Sequence, residues 1–124
     1  MNYIQQPPGS WLCGQTCVAM IAGITLEDSI KIFGKRSGTT TKQVIAALQA
    51  AGVNCGTRLY PARIYPRPDF CMAIVHFKGT KSTHWTVWRD GKYYDPAIGI
   101  IEEYPPDAWV TSYLAIHGAE GAGQ

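Results

Sequence analysis

Cys13 and Cys17 stand four residues apart in the stretch SWLCGQTCVAMIAG, residues 10–23, and offer two thiols to one helix. The thiolate is the nucleophilic form of cysteine, so the useful question is which sulfur has surroundings that favour the anion. In the first turn of a helix the backbone N–H groups lack partners and the helix field favours negative charge. That position belongs to Cys13. Cys17 lies one turn inward beside Val18, Ala19 and Met20 and is expected to pack as a small hydrophobe. Gly14 is expected to let a substrate backbone come close. Two other readings are open at this level: both cysteines as core residues, or Cys13, Cys17 and a histidine as a zinc site. The four-residue spacing is not the CxxC redox arrangement.

A base for Cys13 is sought among the histidines. Asp90-Gly91 is a two-residue turn signal between β-rich runs, and it predicts a hairpin of 83–89 and 92–95. In that register Val87 faces Tyr94 and Thr86 faces Asp95, and alternation puts His84 on the face of Thr86. His84 and Asp95 become diagonal neighbours, roughly 7 to 8 Å apart at the backbone, within reach of each other's side chains. An imidazole oriented by a carboxylate can take a thiol proton and later return it to a leaving nitrogen. Cys13 as nucleophile, His84 as base and Asp95 as orienting acid therefore make amide hydrolysis chemically accessible. The backbone N–H of Cys13 and the side-chain amide of Gln5 or Gln6 could serve the developing oxyanion, with Gln6 the nearer.

The remaining candidates have plainer readings. His76 follows an apolar run and is expected within or at the end of a strand. His117 is expected at the surface. Asp69 and Asp107 read as loop acids, and Tyr104-Pro105-Pro106 as a stiff connector. Trp11, Trp85 and Trp88 could line a groove, although packed anchors are the commoner use of such residues.

These residues need elements to hold them. The prolines of 5–10 keep the chain extended up to Trp11, so a helix is expected to begin at Leu12 or Cys13 and to leave near Gly23. Thr25 with Asp28 predicts a capped second helix stopped by Gly34, and Thr39 or Thr40 starts a third that Gly52 ends. Strands are expected over 71–77, across the hairpin, and over 109–116, while 61–68 reads as a proline-limited loop. Helices first and strands second predict an α+β domain over 1–117, followed by a flexible tail over 118–124.

With 124 residues, 46% hydrophobic and 16% charged, the chain suits one globular domain. Its 11 basic residues are scattered and the net charge is +2, so nucleic acid is not an expected partner. No apolar run reaches spanning length and no signal peptide is evident, which predicts a cytoplasmic protein as synthesised, with reduced thiols. Export by a route that reads no N-terminal signal stays open.

Gln6 ahead of Cys13-Gly14, then Cys17-Val18-Ala19-Met20-Ile21, His84-Trp85-Thr86-Val87 and Asp95-Pro96 with Gly99 downstream together resemble papain-like cysteine peptidases. The likeness is strongest to compact bacteriocin-processing, double-glycine peptidase domains and their stand-alone relatives. It implies a papain-like fold with N-terminal helices packed on an antiparallel sheet. It also implies Gln6 in the oxyanion hole, Cys13 as nucleophile, His84 as base, Asp95 as orienting acid, no cofactor, and a protein or peptide substrate. The Gln6 to Cys13 interval is one residue longer than is common there, so Gln5 remains an alternative. Papain-like glutamine deamidases used as bacterial effectors share the arrangement, so peptide or isopeptide cleavage, deamidation and other acyl transfer are all expected chemistries. A catalytically inactive protein-binding domain is the remaining one.

Overall fold

The computed structural model describes residues 1–119. Three helices come first, α1 (Cys13–Ala22), α2 (Leu26–Phe33) and α3 (Thr41–Ala50). Seven strands follow: β1 (Val53–Cys55), β2 (Tyr60–Pro61), β3 (Phe70–Phe77), β4 (Thr83–Arg89), β5 (Lys92–Asp95), β6 (Gly99–Ile101) and β7 (Ala108–Ala119). The helices end where their C-terminal residues require. Gly23 and Gly34 take left-handed backbone and return their N–H groups to Ala19 and Ile30. Thr25 accepts from the Asp28 N–H, and Thr40 and Gln43 form a complete capping box.

The strands form one antiparallel sheet in the order β1-β7-β3-β4-β5-β6, with β2 also paired to β7. The α+β expectation therefore holds. Asp90 and Gly91 both have positive φ, as a type I′ turn demands, and the turn pairs Arg89 with Lys92, Trp88 with Tyr93 and Val87 with Tyr94. Alternation gives the sheet two buried faces. Met72, Trp85, Val87 and Leu114 pack with Cys17, Val18, Met20 and Ile21 of α1 and with Val44 and Leu48 of α3. Cys71, Ala73, Trp88, Tyr93 and Tyr113 make a second cluster.

Three details depart from the pattern-based expectations. The short strands β1, β2 and β6 lack enough residues to show a period. Tyr60 and Pro61 pair with Tyr113 and Ser112, so the proline-rich segment begins in the sheet. A two-residue edge requires no N–H from Pro61. The rest of that segment is pinned by Arg67, whose guanidinium lies 3.3 Å over the Trp88 ring and donates to Tyr93 Oη at 2.8 Å. The last strand includes Gly118 and Ala119, through pairing with Asn54 and Val53, and the rest of the expected tail lies outside the described residues. Among the described residues no helix is long and apolar enough to cross a membrane.

Candidate active site

α1 brings Cys13 to its first helical position and turns Cys17 into the core. Leu12 occupies the N-cap and, having no polar side chain, caps nothing. The free donors of this helix start are thus left for other acceptors. Cys13 is half-buried, whereas Cys17 is fully buried and its thiol is pushed well up by burial, then by the neighbouring Cys13 and Asp95. All four cysteines are free thiols. Among the described residues no three His, Cys, Asp or Glu side chains gather as metal ligands would, and Cys17 faces the core rather than joining Cys13 in a zinc site.

The β4–β5 hairpin brings His84 Nε2 to 2.7 Å from Asp95 Oδ1. That leaves Nδ1 as the ring nitrogen for the hydrogen bond between His84 and Cys13. Burial opposes the Cys13 thiolate, but the His84 hydrogen bond, the backbone N–H groups of Trp85 and Gly14 and the His84 charge outweigh it and hold the thiol below its ordinary range. Burial likewise opposes the imidazolium, and the bonds and charges of Asp95 and Cys13 outweigh it, raising His84 to about 9. Both shifts favour a thiolate beside an imidazolium.

Asp95 is fully buried and fully supplied with donors. Oδ1 accepts from His84, from the Ala97 N–H at 2.8 Å and from the Ile98 N–H at 3.1 Å, while Oδ2 accepts from the Tyr104 hydroxyl. Burial would raise this carboxyl; the His84 bond and charge, then Tyr104 and the Ala97 N–H, overcome it and hold the group below its usual range. The Asp95 carbonyl also accepts from the Tyr3 hydroxyl, tying the N-terminal segment to the same turn. Asp95-Pro96 initiates that turn, a local signal readable in the sequence. Tyr104 is a partner that pattern reading misses, because its connector meets Asp95 only after β6 has folded back. Burial and the adjacent carboxylate keep the phenol protonated, so it remains a donor.

Gln6, rather than Gln5, reaches the site. The Gln6 N–H donates to the Pro96 carbonyl at 2.8 Å, fastening it beside the Asp95 turn, while Gln5 is exposed. Gln6 Nε2 donates to the Ser10 carbonyl at 2.9 Å and to Ser10 Oγ at 3.3 Å; its Oε1 has no partner among the described residues. The second amide hydrogen is aimed at Ser10 Oγ through the longer contact. Gln6, Cys13 and His84 line a common cleft of about 240 Å³. A larger cavity of about 840 Å³, lined in part by Met1, Ile4, Arg89 and His117, contains none of these groups.

Other expectations fall differently. The space beside Gly14 is filled by Thr39, whose Oγ1 stands where a Cβ would be, so this glycine admits the loop before α3 and not a substrate backbone. His76 lies in β3 with its ring 5.0 Å from Trp109, and His117 is exposed. Asp69 and Asp107 are exposed loop residues. Trp85 and Trp88 are buried, and of the three tryptophans considered only Trp11 lines the cleft.

No known family model matches the chain, and no curated protein is significantly similar to it.

Proposed function

We propose that the protein is a cysteine hydrolase of papain-like type that cleaves a peptide or isopeptide amide in a protein substrate. The observation that carries this reading is the continuous series Cys13, His84, Asp95 and Tyr104, in which each side chain is held by the next. Cys13 Sγ attacks the amide carbon, and the oxyanion draws on the Cys13 N–H and Gln6 Nε2. His84 gives its Nδ1 proton to the leaving nitrogen as the C–N bond breaks, leaving a thioester on Cys13. Neutral His84 then takes a proton from the attacking water; the C–S bond breaks and the thiolate and imidazolium return. Asp95 holds the ring and supports its charge throughout.

The test is intact-mass analysis of candidate protein substrates after incubation with the wild type or Cys13→Ala. Cys13-dependent fragments are the expected result. A Cys13-dependent conversion of a side-chain amide to an acid would replace cleavage by deamidation, and a lasting adduct or cross-link would replace it by acyl transfer. No Cys13-dependent change in any substrate, together with no His84-dependent labelling of Cys13 by a thiol reagent, would overturn the enzyme reading in favour of a binding domain.

A further inference from the structure

The cleft joins the reacting groups to two large apolar side chains left in solvent. Trp11 is 68% exposed and Ile98 is 53% exposed, and both line the cleft with Cys13 and His84. Isolated surface hydrophobics need no explanation, but these two stand on backbone held by the same bonds that build the site. Trp11 follows Ser10, whose carbonyl holds the Gln6 amide, and Ile98 donates its backbone N–H to Asp95. The backbone that carries both side chains is therefore held in place beside the reacting groups.

Among the described residues, the lining contains no ionisable side chain apart from Cys13 and His84: Phe77 and Ala97 extend its apolar part, while Ser82 and Thr83 supply hydroxyls. A charged substrate side chain would lose water here with no charged partner beyond the reacting pair itself. At about 240 Å³ the space is also below the roughly 300 Å³ at which pockets for whole drug-sized ligands begin, so it fits one part of a longer chain. Resting on the hydrolase reading above, we propose that the cleft selects protein substrates carrying an apolar side chain beside the scissile amide, received between Trp11 and Ile98. This specificity favours leucine-like or aromatic residues over glycine and over either charge.

The experiment measures labelling of Cys13 in the full chain by acetyl-dipeptide vinyl sulfones bearing leucine, glycine, glutamate or lysine at either residue, with iodoacetamide as a probe lacking a side chain. Leucine forms are expected to label at least about tenfold faster than the others, and Ile98→Asp to shift the preference toward lysine. Equal rates for all four residues, with iodoacetamide labelling still dependent on His84, would overturn the apolar selection while leaving the hydrolase reading intact. Loss of His84 dependence for every probe would overturn both. Ile98→Asp is a surface change that keeps the backbone N–H to Asp95, so its folding is checked by an unchanged thermal midpoint.

Discussion

The starts of α1 and α3 present the same backbone problem and solve it oppositely. At α3, Thr40 Oγ1 accepts from the Gln43 N–H at 3.2 Å and Gln43 Oε1 accepts from the Thr40 N–H at 3.0 Å. Two of the free donors are consumed within the helix, which makes a stable start. At α1 the N-cap is Leu12 and no side chain intervenes. The Gly14 N–H donates instead to the sulfur of Cys13, joined from β4 by the Trp85 N–H. A helix end becomes reactive when its donors are left for a nucleophile.

Breaking the support of the reactive end should have the largest effect. Asp95→Asn is expected to lower kcat/KM roughly 10²–10⁴-fold. It should also move the alkaline fall in rate from about 9 to lower pH, because the imidazolium loses its carboxylate partner. Kinetics across pH check this. In the intact protein, the rate is expected to rise as Cys13 loses its proton below the ordinary thiol range and to fall as His84 loses its own near 9. Between the ordinary imidazole value of 6.5 and about 9, folded His84 keeps a proton that the unfolded chain has lost, so its stabilising contribution falls as pH rises there, while the lowered Cys13 thiol contributes in the opposite sense. The pair's titration should therefore show in rate, with the two opposed contributions leaving a smaller pH dependence of stability than His84 alone would give.

Tyr104→Phe leaves Asp95 Oδ2 buried and short of a donor, and should cost about 1.5–3 kcal/mol at neutral pH. The sign follows from the depressed carboxyl. Its contribution is present above the ordinary value of 3.8 and is lost as pH falls through the lower folded value, so variant and wild type should converge in acid. Denaturant unfolding at several pH values measures this.

Gly14→Ala tests the contact that joins the two helix starts. The added methyl must displace Thr39, and about 1–3 kcal/mol of stability should be lost. Adding Thr39→Ala should restore part of it, read as non-additivity in a double-mutant cycle. The smallest effect is expected at the capped end. Thr40→Ala removes a cap worth about 1 kcal/mol, seen as a lower unfolding midpoint, and leaves the pH profile of Cys13 alkylation unchanged.

What the sequence by itself determined lies within short stretches of chain. The three helices follow from apolar spacing, threonine caps and glycine stops. The proximity of His84 and Asp95 follows from a two-residue turn, because alternation in a hairpin leaves little choice. What only the tertiary structure decided requires distant segments to meet. Cys13 reaches His84 because α1 packs on β4; Gln6 is distinguished from Gln5 by its bond to Pro96; Thr39 claims the space at Gly14; and Tyr104 completes the partners of Asp95. The short strands β1, β2 and β6 likewise depend on the partners β7 and β5 supply. Periodicity and turn chemistry act over a few residues, whereas these contacts exist only after burial of a shared core has closed the long loops between them.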